Sequence, residues 1–453
     1  MGRPLVALVL PFEGLPVWAQ ALFYVVFLQI VVVFFWTLAL FVSSRRAIRS
    51  APDPDPAAAD SLLWVFVVPA LNEEVTIADS VERLRAVQAR NKAIIVVDDG
   101  STDGTGAVLA GLAGPDLHVV TRVVPDARKG KAAALNAAWR HVEAVVASGT
   151  WADWPRERIV LVVVDADGRL DPDSPEHVAP FFADERVGGL QVLVRIYNRG
   201  HPLTWCQDVE FSIYGLLYQA GRTRWGTAGM GGNGQFHRLD ALDSIADAEA
   251  GGPWLDRLTE DQDLGLRLIG AGWRGVSSSR TAVNQQGVPS LRRLLRQRTR
   301  WAQGNLQAMA HLGRMRRAEL PFLVRLDLIA YLLQPVMQAV VGIAFVASII
   351  LWIFDVADFW GDNGWIQLLF FFLLGYGGVL LGCLARGVAR GPVGLAVSLL
   401  VVPVYAAYTW MIWPVLARAA VRQLARRTDW SKTARQPVAG GEPEARSAAR
   451  PRP

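Results

Sequence analysis

Three acidic sites stand in order along this chain, each placed where carboxylates could work on a phosphate or a hydroxyl. Asp165-Ala166-Asp167 follows an unbroken apolar run at 159–164. Two carboxylates one residue apart at a strand end can share a hard divalent cation, and Mg2+ or Mn2+ prefers such oxygen ligands. A cation there would bridge to a diphosphate and stabilise it as a leaving group. An Asp-x-Asp alone is more often a pair of solvated loop acids, and its place behind a buried strand is what raises this one. Asp98-Asp99-Gly100-Ser101-Thr102-Asp103 follows a second apolar run at 94–97. A carboxylate there can accept hydrogen bonds from a base imide or a ribose hydroxyl. Gly100 permits a tight turn, Ser101 or Thr102 could cap the next helix, and Asp103 reads only as part of that cap. Glu260-Asp261 opens a helix predicted to run to Gly270. Acidic residues in a first turn suit the helix dipole; the alternative is a general base that deprotonates an attacking hydroxyl.

Cations accompany these acids. Lys129-Gly130-Lys131 precedes an Ala-rich helix and either holds phosphate or is merely a basic helix entrance. Gln297-Arg298-Thr299-Arg300-Trp301 offers guanidinium forks for phosphate oxygens and an indole face on which a sugar can stack. The bland alternative is an amphipathic interfacial helix with Trp at headgroup level.

These residues must be positioned by the elements between them. Apolar runs at 64–68, 94–97, 118–124, 159–164 and 189–194 read as strands, and 73–89 and 132–146 as helices. Strands alternating with helices predict a mostly parallel α/β sheet, with ligands at the carboxyl ends of its strands. Both Asp98-Asp99 and Asp165 fall at such ends.

The 453 residues are 52% hydrophobic, and the apolar residues are unevenly spread. Runs at 16–43, 333–354, 364–384 and 392–417 are each long enough to cross a bilayer at about 20 residues per crossing. Arg45, Arg46 and Arg49 follow the first run, which predicts an anchor with its N-terminus outside and the middle domain in the cytoplasm. The basic residues 314–317 and Arg325 among Leu312, Leu320 and Phe322 suggest a surface helix, with Pro335 breaking it before the next crossing. The expected order is an extracytoplasmic segment 1–15, an anchor 16–43 and a linker 44–60. A catalytic domain 61–290, the Gln297–Trp301 motif with interfacial helices at 291–332, membrane helices at 333–417 and a basic, partly disordered tail at 418–453 follow. Three late crossings would put that tail outside, although Arg418 to Arg435 reads as an inside flank and the loop 355–364, with three Asp and no Lys or Arg, as an outside one. Either one late run is interfacial or re-entrant, or the tail breaks the rule.

Two cysteines, Cys206 and Cys383, exclude a disulfide framework and a Cys-based metal site. The net charge of +5 clusters beside the apolar runs, which points to anionic lipid rather than nucleic acid.

Taken together and in order, the motifs resemble the processive branch of glycosyltransferase family 2, the cellulose, chitin and hyaluronan synthases and nodulation chitooligosaccharide synthases. The resemblance covers about residues 60–310 and the flanking membrane layout. It rests on Pro69-Ala70-Leu71-Asn72-Glu73, Asp98-Asp99-Gly100-Ser101-Thr102-Asp103, Lys129-Gly130-Lys131 with Leu135-Asn136, and Asp165-Ala166-Asp167. Gln207-Asp208-Val209-Glu210-Phe211, Gly231-Gly232-Asn233-Gly234, Thr259-Glu260-Asp261 and Gln297-Arg298-Thr299-Arg300-Trp301 complete it.

The resemblance implies a GT-A fold and inverting transfer from a nucleotide sugar, usually a UDP sugar. It implies Asp99 on the nucleotide, Asp165 and Asp167 on the diphosphate and its Mg2+ or Mn2+, and Lys131 on the donor side. Asp261 would be the base, and Gln297, Arg298 and Arg300 would hold the pyrophosphate. Trp301, Gly232, Asn233 and Glu260 would form the acceptor side. Gly168 departs from the pattern, since the cellulose synthases carry His there, and the membrane runs are few for a polysaccharide channel within one chain. A growing β-linked polysaccharide is therefore the first expected acceptor and a lipid such as diacylglycerol the second, with a homo-oligomeric pore as one answer to the shortage of helices. A catalytically silent membrane scaffold would have no use for Asp261 or Arg300, and a nucleotidyltransferase would need no motif beside a bilayer.

Overall fold

The computed structural model describes residues 15–356 and 372–427. The expected segment at 1–14, most of the acidic loop at 355–364, the first part of the run at 364–384, and the tail beyond 427 lie outside the described residues. The helices used below are α1 (Val17–Arg49), α2 (Ile77–Arg85), α3 (Thr105–Gly111), α4 (Lys131–Ala147), α5 (Pro202–Ile213) and α6 (Glu260–Gly270). They continue with α7 (Leu291–Ala308), α8 (Phe322–Ile353), α9 (Gly377–Val388), α10 (Gly391–Thr409) and α11 (Ile412–Leu424).

Eight strands form one sheet: β1 (Leu63–Ala70), β2 (Lys92–Asp98), β3 (Leu117–Thr121), β4 (Ile159–Val163), β5 (Arg169–Leu170), β6 (Val187–Ile196), β7 (Gln235–Arg238) and β8 (Arg274–Gln285). Their order is β3-β2-β1-β4-β7-β6-β8-β5. The half from β3 to β4 is parallel, as the apolar runs predict, because strands buried on both faces have no reason to alternate. The other half is mixed: β7 runs antiparallel to β4 and β6, β6 pairs parallel with β8, and β5 antiparallel with β8. The sheet is thus mixed, and the departure has a sequence reason. β7 carries Gln235, His237 and Arg238, all buried, so it lacks the apolar signature of a central strand.

Two cores flank the sheet. One face packs Trp64, Phe66, Ile94, Val96 and Phe236 against α2 and α3. The other packs Val65, Val67, Ile95 and Leu161 against Ala134, Leu135 and Ala138 of α4. Small alanines bring α4 close to the sheet, and α4 begins one residue later than Gly130, whose φ of 97° turns the chain into it.

Three helical stretches are long and apolar enough to cross a membrane: Val17–Arg49, Phe322–Ile353 and Gly391–Leu424. Two boundaries differ from expectation. The linker starts later, because α1 carries Arg45, Arg46 and Arg49 within its last turns and ends at Arg49. Pro335 does not break the chain: α8 runs through it from Phe322 to Ile353. A proline removes one backbone bond from a helix, and apolar packing along the rest of α8 outweighs that loss. The first half of α8 meets the soluble domain at Leu328 and Leu332, and the second half packs Ala344 and Leu351 on Ala19, Phe23 and Val26 of α1.

Candidate active site

The three acidic sites meet at the carboxyl ends of β2 and β4, as strand polarity demands. β2 ends at Asp98, whose Oδ1 accepts from Ser101 N at 3.0 Å. Asp99 pairs with Arg122, and burial pushes its carboxyl above the ordinary range against that cation. The loop after it is braced from β1. Asn72, at φ 54°, donates its N–H to Ser101 Oγ (2.9 Å) and accepts from Thr102 N (2.8 Å), and Glu74 Oε2 accepts from Gly104 N (2.7 Å). Ser101 and Thr102 are therefore held by Asn72 and do not cap a helix. Asp103 Oδ1 accepts from Thr105 N and Oγ1 at 3.1 and 2.5 Å, but it stands one position ahead of the N-cap of α3, which is Gly104, so the expected cap is displaced.

Lys131 is the centre of the constellation. Its Nζ donates to Asp165 Oδ1 at 2.5 Å and to the Gly232 carbonyl at 2.7 Å, and lies 3.8 Å from Glu260 Oε1. Burial alone would lower the ammonium pKa; Asp165, Glu260 and Asp261 overcome it and raise the value. Lys129, in contrast, makes only an exposed pair with Asp126. The helix-entrance reading fits Lys129, and Lys131 sits among the carboxylates.

Glu260 and Asp261 start α6. Asp261 Oδ1 accepts from Gln262 N at 2.9 Å. Burial, then the neighbouring Asp261 charge, pushes the Glu260 carboxyl up to about 7. Burial also raises Asp261, with Lys131 and Arg300 opposing it. A carboxylate with a raised proton affinity beside a cation is suited to accept a proton from a hydroxyl. Gly232, at φ 78°, passes so close that a Cβ there would sit 2.9 Å from Asp261 Oδ2. Asn233 Oδ1 accepts from Asp165 N at 3.1 Å, while its Nδ2 donates to Gln285 at 2.9 Å. The loop at 231–234 therefore touches both the Asp165 end and the Asp261 end.

Asp167 Oδ2 accepts from Gln286 N at 3.2 Å. Gly168 is required by this backbone, since a Cβ would meet Asn233 Oδ1 at 2.8 Å and the Asp165 carbonyl at 2.9 Å. Among the described residues no three His, Cys, Asp or Glu converge as a protein-only metal cage. Mg2+-type sites commonly take one or two carboxylates and complete the shell with substrate phosphates and water. Asp165, partly open, and Asp167 fit that pattern and would be the residues to hold such a cation.

The motif on α7 divides. Arg300 Nη1 donates to the Leu258 carbonyl at 3.0 Å and adds positive potential at Glu260 and Asp261. Arg298, expected on the diphosphate, points elsewhere. Its Nη2 donates to Glu210 Oε2 at 2.6 Å, and Tyr408 of α10 donates to the same oxygen at 2.8 Å. Its guanidinium lies 4.1 Å from the Trp301 ring, and Trp301 meets Phe211 edge-on. An isolated buried guanidinium is costly, so it is drawn to the carboxylate and aromatic faces that α5 and α10 supply. The Trp301 ring is thus occupied by Arg298 in this structure, and Gln297 is half-buried on the same helix.

Residues not singled out from the sequence tie the base to the membrane helices. Gln262 Nε2 donates to Tyr331 Oη (2.9 Å) on α8. Arg222, whose guanidinium stacks over Tyr331 at 5.0 Å, forms a two-bond pair with Asp327 at 2.6 and 3.0 Å, and Trp36 of α1 donates to Asp327 at 2.7 Å. Arg222, Gln262 and Tyr331 border a small cavity that also touches Tyr214, Thr227 and Met230. Asp327 was visible as one acid within an apolar helix, the usual mark of a constrained role. Gln191 was not: its buried amide donates to the Asn233 carbonyl (2.8 Å) and accepts from Gly231 N (2.8 Å), shaping the loop.

With this geometry in place, comparisons decide the family. A family model described as glycosyl transferase family group 2 matches residues 160–419, and one described as glycosyl transferase family 2 matches 65–243. The chain belongs to glycosyltransferase family 2. This glycosyltransferase is 34% identical over 248 residues to a beta-monoglucosyldiacylglycerol synthase of Nostoc sp., covering 53% of this chain and 48% of the relative. It is 25% identical over 295 residues to a poly-beta-1,6-N-acetyl-D-glucosamine synthase of Staphylococcus aureus, covering 64% and 65%. The chain spans about half the length of the first of these relatives. The fold is that of a mannosyltransferase from Pyrobaculum calidifontis solved with GDP-Man and Mn2+, at TM-score 0.58 and 20% identity over 89% of this chain and 99% of that one. The GT-A expectation holds.

Proposed function

We propose that this glycosyltransferase moves a hexose from a UDP sugar, with inversion, to the hydroxyl of a membrane lipid such as diacylglycerol. The observation that carries the reaction is the convergence of Asp165, Glu260 and the Gly232 carbonyl on Lys131 Nζ, with Asp261 packed against Gly232. Asp99 and the loop braced by Asn72 receive the nucleotide. Asp165 and Asp167 would hold Mg2+ or Mn2+, which supplies Lewis-acid neutralisation of the diphosphate. Asp261 takes the proton of the acceptor hydroxyl. That oxygen bonds to the sugar C1 from the face opposite UDP, the C1–O bond to UDP breaks, and its electron pair leaves with the diphosphate. Lys131 and Arg300 stabilise the charge that develops. Protonated Glu260 keeps a second negative charge away from Asp261.

A lipid acceptor takes precedence over the polysaccharide expected first, on two supports. The relative at 34% identity is named for diacylglycerol glucosylation, and the membrane part is small for a channel, whose walls must be closed by helices. The polymer remains the second reading, favoured by the Staphylococcus relative.

We also infer that the catalytic domain and the residues 418–427 share the cytoplasmic side. Arg390, before α10, lies 3.8 Å from Asp208 on α5, and Gln303 on α7 bonds Gln423 and the Arg427 carbonyl beyond α11. The stretch Gly391–Leu424 thus touches the sheet domain at Arg390, again at Tyr408 beside its turn at Trp410–Met411, and at Gln423 and Arg427, so both of its ends lie on that domain's side. This gives the basic flank after Arg418 an inside position.

The deciding experiment incubates membranes containing the protein with labelled UDP-glucose, UDP-galactose or UDP-N-acetylglucosamine. Label entering the chloroform–methanol extract as a glycolipid, and moving to the aqueous phase when mild alkali cleaves its ester-linked acyl chains, supports the lipid reading. Label confined to ethanol-insoluble polymer sinks it.

A further inference from the structure

We propose that a second site, built from Arg195, Arg199, Arg386 and Arg390, binds a phosphate group, and that its source is the headgroup of an anionic lipid of the cytoplasmic leaflet. The four arginines come from two distant parts of the chain. Arg195 and Arg199 lie at and beyond the end of β6, while Arg386 and Arg390 lie on α9 and in the turn before α10. Arg199, Arg386 and Arg390 surround Asp208, which is 1% exposed. Asp208 Oδ2 is 3.4 Å from Arg386 Nη2, 3.8 Å from Arg199 Nη1 and 3.8 Å from Arg390 Nη2. Its other oxygen accepts from Ile196 N at 3.3 Å. Arg195 adds its charge to Arg390 and reaches Asp171, whose oxygens already accept from Ala282 N at 2.9 Å and Asn284 Nδ2 at 3.1 Å.

One carboxylate cannot satisfy this set. Four guanidiniums share Asp208, the occupied Asp171 and, beside it, Asp173, so the cations outnumber the carboxylates. Guanidinium donors are also left over: Arg386 is 4% exposed, yet its Nε has no hydrogen-bond partner among the described residues. A buried donor of this kind is expected to have a ligand. Arg199 and Arg390 keep 42% of their side chains exposed, so the site opens outward. Planar forks converging from several directions suit a tetrahedral phosphate, which offers several oxygens at once.

The position argues for lipid. Ala389, in the α9–α10 turn, and Ile48, near the end of α1, pack on the same small core of Leu193, Leu216 and Ala282. Arg46 and Arg49 sit in the last turn of α1. The cluster therefore lies level with the basic end of a membrane helix, where the negative leaflet is within a Debye length. Neither Arg199 nor Arg390 belongs to the carboxylate constellation around Lys131.

The test uses the full chain in detergent micelles and follows the thermal unfolding midpoint while dihexanoyl-phosphatidylglycerol, dihexanoyl-phosphatidylcholine or inorganic phosphate is titrated. Phosphatidylglycerol should raise the midpoint saturably, and phosphatidylcholine should not. The double variant Arg199→Gln/Arg390→Gln should weaken the apparent affinity by about tenfold or more, the loss of two charge-assisted donors. The control Arg316→Gln/Arg317→Gln, with the same charge removed at exposed positions, should titrate like the parent. Equal response to both lipids, an unchanged double variant, or equal weakening in the control overturns the site. Inorganic phosphate acting at the same concentrations as phosphatidylglycerol overturns the lipid source. The assay does not depend on transfer, so its failure leaves the proposed reaction standing.

Discussion

The contact between Gly232 and Asp261 gives the sharpest expectation. In Gly232→Ala the added Cβ would stand 2.9 Å from Asp261 Oδ2, where ordinary contacts begin near 3.4 Å. The carboxylate oxygen must retreat by about 0.5 Å, or the loop must open. A misplacement of about 1 Å in a reacting geometry can cost roughly a hundredfold, so half of that predicts about a tenfold fall in kcat. The φ of 78° adds a backbone penalty of about 1–2 kcal/mol. Gly272→Ala isolates that second effect, because Gly272 has φ 96° and nothing within 4 Å of its Cβ position. The assay is transfer from labelled UDP sugar in nanodiscs with kcat and KM separated, beside thermal midpoints of both variants. Gly232→Ala should lose kcat with a donor KM near that of the parent, and Gly272→Ala should lose only stability. Equal kcat in the two variants refutes the idea that the 231–234 loop positions the base.

Further expectations follow from the same contacts. Asp261→Asn should abolish transfer and leave UDP binding measurable by calorimetry nearly intact. Glu260, which burial pushes up to about 7 from an ordinary 4.5, holds its proton more tightly folded than unfolded, so folding stability should decline as pH rises from about 4.5 to about 7. Glu260→Gln should flatten that decline in thermal melts across the window, and an unchanged slope would remove Glu260 as its source. Arg298→Ala leaves Glu210 half-buried without its cation, and losing one partner of such a pair costs about 3–5 kcal/mol. The variant should melt early, with protease-sensitive α10, whereas a stable variant with selectively weakened UDP binding would return Arg298 to the donor. Chelation by EDTA should stop transfer and Mn2+ or Mg2+ should restore it; full turnover in EDTA would remove the metal from Asp165 and Asp167.

Much of the site was legible because strand polarity converts sequence position into spatial position. Asp98 and Asp165 both follow β-branched runs, and parallel neighbours must deliver such ends to one edge. Asp103 and Lys129 find their partners Thr105 and Asp126 within three positions, so their contacts are local ones. The contacts of Arg298 and Trp301 were not legible, because their partners Glu210, Phe211 and Tyr408 lie on other helices, 87 and more positions from Arg298.

By itself the sequence determined the chemistry available: which carboxylates end strands, where the apolar stretches lie, and which acid opens α6. Those properties follow from local propensity and the periodicity of burial. Tertiary structure alone decided how the charges are shared. Lys131 joins Asp165 to Glu260 because α4 packs flush on the sheet, Asp327 reaches Arg222 because α8 docks on the sheet domain, and three arginines collect at Asp208 because α9 turns back there. Charge pairing acts over a few ångströms and is blind to chain separation, so no spacing rule could have announced it.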